Sequence, residues 1–197
     1  MSEKPARRRR RADAERSQAK VLDAAIELLG RQPEASMDDI AAAAGVARQT
    51  VYAHYPARHA LIAAIVDRLT AETVAELQSV DVDAGAATDA LGAWLTRSWQ
   101  LIHRYPILLT SVIAAASDAG DYERHVPIMD SLRRILDRGR CSGEFQAGPP
   151  VQWQVSAIIA LGHAAGAEVI AGRMNTVDAG AAFSEAALRV TAGTRRP

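Results

Sequence analysis

Apolar residues recur at three- and four-residue spacing along most of the chain, and no stretch alternates apolar and polar residues as a strand would. The first clear stripe is Val21, Leu22, Ala25, Ile26, Leu28 and Leu29, with Arg16, Lys20, Asp23 and Glu27 on the remaining face. It predicts an amphipathic helix over Asp13–Gly30, ended by Gly30 at the position a helix C-terminus favours. Arg31 to Ala35 reads as a connector. Ser36 with Asp39 three residues on forms a capping box, Asp standing for the usual Glu/Gln. A short helix, Asp39–Ala44, follows. Gly45-Val46 is a turn, because Gly45 tolerates the positive φ that a sharp bend between helices requires. A second short helix runs from Ala47 to His54, and Ala47 has no side-chain oxygen with which to cap it.

Tyr55-Pro56 breaks the pattern. A long helix then spans Ala57–Gln78, with Leu61, Ile62, Ile65, Val66, Leu69 and Leu77 as its stripe, and Ser79 to Gly85 is a break. Five further helical patterns follow: Thr88–Arg104, Pro106–Ala119, Asp121–Arg140, Pro150–Gly172 and Thr176–Thr191. Pro106–Ala119 is apolar nearly all round and reads as buried. Pro127 falls near the first turns of its helix or at a kink. Cys141 to Pro149 reads as a loop, and Ala192 to Pro197 as a frayed tail. The predicted class is all-α, with about nine helices.

Composition agrees. Of 197 residues, 49% are apolar and 23% charged, as in a globular domain, and aromatics are only 5%. Charge alters the picture more. The net charge is zero, yet residues 1–60 hold eleven Lys/Arg against eight Asp/Glu, and the remainder twelve against fifteen. A basic front half points to an acidic partner for that half. Residues 1–11, MSEKPARRRRR, lack periodicity and read as a disordered basic arm, either a solubilising tail or an arm that lies along phosphates or in a minor groove. Arg7–Arg11 is no export signal, because Asp13, Glu15, Arg16 and Lys20 follow where an apolar region belongs. With the single cysteine Cys141, no disulfide can form within the chain. The apolar tract Val155–Gly172 contains His163 and Glu168, and reads as a buried core helix rather than a membrane span.

Two short helices joined by a glycine turn form a helix-turn-helix, whose second helix enters the DNA major groove. Arg48, Gln49 and Thr50 occupy its first turn. Arg pairs with guanine O6/N7, Gln with adenine N6/N7, and the Thr methyl meets the thymine methyl. Thr50 and Arg58 are also candidates for backbone contacts that set register.

The run DDIAAAAGVARQTVYAHYPARHALIAAIV resembles the DNA-binding domain of the TetR (tetracycline-repressor-like) family of bacterial transcriptional regulators. Ile40-Ala41, Ala44-Gly45-Val46, Tyr52-Ala53-His54-Tyr55 and Arg58 carry the resemblance, which covers residues 14–66. Ala47 stands where Ser is common, Gln49 where Gly is frequent and Arg58 where Lys is usual. These departures bear on which operator is read.

The resemblance implies a fold and a function. An N-terminal helix-turn-helix DNA-binding domain, 12–56, is expected to join through the long helix to a C-terminal domain, 57–194, for ligand binding and dimerisation. The DNA contacts would be Arg48, Gln49, Thr50, Tyr52, His54 and Arg58, with Tyr55 in the core. Candidate ligand residues are Trp94, Trp99, His103, Met129, Trp153 and His163. The last two helices would form a dimer bundle, with Gly162, Gly166 and Ile170 at its face. The expected function is a homodimeric repressor released from palindromic double-stranded operator DNA by an unknown small-molecule effector; the alternative is a regulator that acts without a ligand or under the control of a partner protein. It would act in the cytoplasm, with no cofactor, metal or membrane. Enzyme chemistry is not expected, because the sequence has no Gly-rich phosphate loop and no Ser/His/Asp or Cys/His grouping. His103, His125, Cys141 and His163 have no ligand-type partner at helical spacing.

Overall fold

In a computed structural model of the chain, residues 3–110, 121–146 and 148–192 are described. They form eight α-helices: α1 Glu3–Arg31, α2 Met37–Ala44, α3 Arg48–His54, α4 Arg58–Gln78, α5 Ala87–Arg104, α6 Asp121–Ser142, α7 Val151–Ile170 and α8 Thr176–Ala192. A 3-10 turn, Pro106–Leu109, follows α5, and the described residues contain no strand. The all-α expectation is met.

The chain divides into two compact units. The first holds the residues up to Arg68 and the segment that starts at Tyr105; the second holds Leu69–Arg104 and everything from α6 onward. The two compact units meet inside α4, while the sequence places the end of the DNA-binding domain at 56/57. Helix periodicity continues unbroken through Arg68, so nothing local marks the change.

In the first unit, Val21, Ala25, Ile26 and Leu29 of α1 are buried with Ile40, Ala41, Val51, Tyr55, Leu61 and Ile65. The helix does not start at Asp13 or stop at Gly30. It begins at Glu3, so the arm expected to be disordered is helical backbone from there. Arg, Ala and Glu are good helix formers. Each residue added to a helix already anchored by packing gains a hydrogen bond without a new nucleation cost. The Ser36 capping box is complete: Ser36 Oγ accepts from Asp39 N at 3.2 Å, and Asp39 Oδ2 accepts from Ser36 N at 2.8 Å. The Ser36 hydroxyl, which also donates to Asp39 Oδ2 at 2.7 Å, and then the Ser36 backbone N–H hold the Asp39 carboxyl below its ordinary pKa. At the other end of α2, Gly45 has φ 63°, and Val46 N donates to Ala41 O at 3.1 Å. Of the buried helix expected over Pro106–Ala119, the described part is a 3-10 turn with Ile107 fully buried. Residues 111–119, and 193–197 of the expected frayed tail, lie outside the described residues.

In the second unit, Leu91, Trp94 and Leu95 of α5 are buried with Leu132, Ile135 and Leu136 of α6, and with Val155, Ile158 and Phe183 of α7 and α8. Pro127 lies within α6, which runs on to Ser142, two residues into the expected loop. α7 and α8 are antiparallel: the buried Gln154 in the first turn of α7 donates to Val190 O near the end of α8 at 2.8 Å. Arg140 in turn donates to Gln154 Oε1 at 2.8 Å. The tract expected to be a buried core helix is buried on one side only. Trp153, Ala160, Ala164, Ala167 and Ile170 of α7 are exposed.

Glu144 reaches from the α6–α7 loop to the start of α5, accepting from Thr88 N at 3.0 Å and from Ser142 Oγ at 2.9 Å. The backbone N–H groups of Thr88 and Ala87, then Ser142, hold its pKa down at about 2. A depressed carboxylate pKa stabilises the fold above the unfolded value, and the contribution is lost as pH falls through the folded value. Glu144→Gln is expected to lower Tm by a few degrees at pH 7. The gap from the parent protein should close between about pH 4.5 and 2. Thermal melts of both proteins at pH 7 and pH 2.5 check this; a gap that does not narrow would remove Glu144 from the cap.

Candidate nucleic-acid interface

The second motif helix, α3, is seven residues long. Val51 is fully buried and Tyr55, just past its end, is 4% exposed, so these two anchor the motif to the core. One helical turn away, Arg48, Gln49, Tyr52 and Ala53 are exposed, and Thr50 and His54 are half-buried. Positions 51 and 55 are four apart and share a face, as do 48 and 52, and 49 and 53; packing against the core decides that 51 and 55 are the buried pair. The first turn of α3 has no side-chain cap at Ala47, as the missing oxygen predicts.

Arg48 is held on two sides. Its Nη1 donates to Asp38 Oδ2 at 2.7 Å, and its guanidinium carbon lies 5.2 Å from the centroid of the Tyr52 ring. Asp38 was not among the expected site residues. Its only local signal is its place in the acidic first turn of α2; Arg48 lies ten residues on, beyond the rest of α2 and the Gly45 turn.

Arg58 is placed differently from the other candidates. Part-buried at the start of α4, it donates through Nη2 to Pro33 O at 2.6 Å and through Nη1 to Ala35 O. Its guanidinium therefore ties down the α1–α2 connector, from which Ser36 caps α2. In this structure its part in the interface is to hold the backbone behind the motif helices.

Among the described residues, the six candidate ligand residues differ in burial and partners. Trp94 is 3% exposed and donates Nε1–H to Ser131 Oγ at 2.9 Å. Trp99 is half-buried, donates to Thr176 O at 3.1 Å and packs on Phe183. Met129 is half-buried, while Trp153, His103 and His163 are exposed. A cavity of about 490 Å³ in the second unit has other walls, among them Leu77, Val82, Pro127, Asp130, Ser131 and Arg134. Trp94 reaches it only through its bond to Ser131. Large aromatics in an alanine-rich bundle fill gaps between helices, which removes them from any open space.

Of the three candidate dimer-face residues, two point inward. Gly162 and Gly166 are buried. A Cβ on Gly162 would meet the Phe183 ring at 3.4 Å, so its small size serves the contact between α7 and α8 within one chain. Ile170 is outward, at 55% exposure.

A reading helix with a polar outer edge, packed on a capped helix across a left-handed glycine, defines a helix-turn-helix protein. Comparison with known proteins narrows the class. Residues 21–65 match the family model for bacterial regulatory proteins of the tetR family. The HTH-type transcriptional repressor LfrR of Mycolicibacterium smegmatis is 39% identical over 77 residues, a match spanning 39% of this chain and 41% of that protein. The HTH-type regulator YvdT of Bacillus subtilis, itself uncharacterised, is 26% identical over 151 residues, 72% of this chain and 76% of YvdT. The structure of LfrR from Mycobacterium smegmatis in complex with proflavine superposes with TM-score 0.71 at 26% identity, covering 92% of this chain and 98% of that one. Residues 21–65 therefore carry a DNA-binding domain of the tetR type, and most of the chain is similar in fold to a TetR-like regulator.

Proposed function

We propose that the protein is a homodimeric transcriptional repressor that binds a palindromic operator and is released from it by a small molecule. The observation that carries the DNA reading is the outward edge Arg48–Gln49–Tyr52, presented by a helix whose other side is locked into the core. Arg48 and Gln49 read base edges, Thr50 meets a thymine methyl or the backbone, and Tyr52 and His54 contact the groove wall and phosphates. Arg58 sets register from behind. Such a partner places the protein in the cytoplasm.

LfrR, similar in sequence and fold, is named as a repressor and has been crystallised with proflavine, which supports release by a small molecule. Ligand control requires that the effector prefer the conformation that does not bind DNA. The second unit is the proposed sensor, and α4, which belongs to both units, the proposed route. A helix-turn-helix protein of this kind reads two half-sites roughly 34–36 Å apart, one per subunit. The exposed apolar side of α7 and α8 supports a symmetric dimer.

Selection of bound DNA from a random pool tests this reading. The expected product is an inverted repeat with half-sites one helical turn apart. Arg48→Ala should weaken binding to it by about 5- to 150-fold, the equivalent of one bidentate base contact. Gln49→Ala should leave a single position of each half-site unspecified. A pool that yields no consensus, or binding that vanishes uniformly with salt, would sink the proposal.

A further inference from the structure

We infer that Asp38 is a specificity-determining positioning residue of the DNA interface: it holds Arg48 for the base edges and keeps it off the phosphates. This rests on the DNA reading above and adds a residue that itself touches no base.

Asp38 lies in the first turn of α2, and Arg48 is the first residue of α3. The carboxylate engages Nη1 at 2.7 Å, and the Tyr52 ring faces the guanidinium at 5.2 Å. One contact fixes an edge of the fork and the other fixes its plane. The side chains of Arg48 and Asp38 are 65% and 54% exposed. A pair so open to water contributes little to stability. Its effect falls instead on what Arg48 does when DNA arrives.

An unrestrained arginine beside a duplex has two kinds of partner. Phosphates attract it without regard to sequence, and guanine attracts it only in one geometry. A neighbouring carboxylate offsets the cationic charge and repels phosphate, which weakens the first attraction. It leaves the second largely intact, because a guanidinium carries five N–H donors and Asp38 engages Nη1 alone. The fork is also ordered before binding, so less freedom is lost on docking. The combined effect is discrimination more than affinity.

The test compares Asp38→Asn with the parent protein on the selected operator and on unrelated DNA, across a salt series. Asp38→Asn should bind unrelated DNA more tightly. Its ratio of specific to non-specific affinity should fall roughly tenfold, part of the discrimination of a bidentate pair. Its salt dependence should steepen by about one phosphate contact. The base pair read by Arg48 should become degenerate in the selected pool. Asp38→Glu, which keeps the carboxylate, should restore most of the ratio. In an Arg48→Ala background, Asp38→Asn should leave the ratio unchanged. Equal thermal melts would show that the fold is intact.

Two results would overturn the inference. One is a ratio that stays constant while both affinities rise together, which is a plain charge effect. The other is a ratio that falls as far in the Arg48→Ala background as in the parent. If Arg48→Ala itself leaves the selected sequence unaltered, the base-reading assignment fails and this inference with it. If Arg48→Ala alters the sequence and Asp38→Asn does not, only the role of Asp38 falls.

Discussion

Ala164→Glu is expected to turn the protein into a monomer and to abolish tight operator binding. Ala164 lies midway along the outward stripe of α7, between Trp153 and Ile170, which are each 55% exposed. Across the hairpin, Val177 of α8 is 81% and Leu188 42% exposed. Large apolar side chains at both ends, with alanines between them, leave a surface that another helix pair can approach closely. An apolar face of this extent marks an interaction site. In a two-fold dimer every substitution enters the interface twice. A glutamate there would bury two unpaired carboxylates, each costing several kcal/mol after relaxation. The dimer Kd should rise about a thousandfold or more. Operator affinity depends on two linked half-sites and should fall with it. Sedimentation and gel shifts at matched concentrations provide the measurement, with Ala164→Ser as the mild control. Because Ala164 is exposed in the single chain, helix content should not change. A variant that stays dimeric and binds normally would remove this face from the interface.

Gly180→Ala is the second large effect, and it acts on the fold. Gly180 is buried in α8 beneath the Trp99 indole. A Cβ there would sit 2.5 Å from Trp99 Nε1 and 2.7 Å from Cδ1, closer than any real contact. The indole must leave, giving up its 3.1 Å hydrogen bond to Thr176 O and its packing on Phe183, with ring centroids 6.1 Å apart. Overpacking of this kind costs about 1–3 kcal/mol and the lost hydrogen bond about 1 kcal/mol more. Alanine's better helix propensity returns about 1 kcal/mol. The net loss is about 1–3 kcal/mol, which lowers Tm by roughly 3–10 °C for a chain of this size. Thermal melting measures it. Adding Trp99→Phe, which removes the clashing atoms, should recover part of the loss. A neutral or stabilising Gly180→Ala would contradict the close packing of α5 on α8.

The same site shows how far sequence reading reaches. Trp99 falls at helical spacing with Leu91 and Leu95, and it packs on the inner side of α5. Nothing in the stripe says whether an inner tryptophan lines a cavity or fills a gap between helices. The answer depends on Gly180 and Thr176, some eighty positions along the chain, so no local window contains it. Trp153 shows the converse, since it has helical spacing like the others and yet faces outward. Gly162 was read as allowing two chains to approach, and its smallness admits Phe183 of the same chain. Arg58 was read from its family position as a phosphate contact. Its two carbonyl partners at Pro33 and Ala35 lie more than twenty residues earlier.

The sequence by itself determined the order and kind of the helices, the capped start of α2, the left-handed turn at Gly45 and the outward edge of α3. All of these rest on interactions within a few residues: a 3.6-residue period, a side chain bonding three positions on, a φ that glycine adopts without strain. Only the tertiary structure decided which small residues face inward, where the two units divide along α4, and that Asp38 holds Arg48. Those depend on pairs of groups brought together by packing, and their sequence separation carries no period to read.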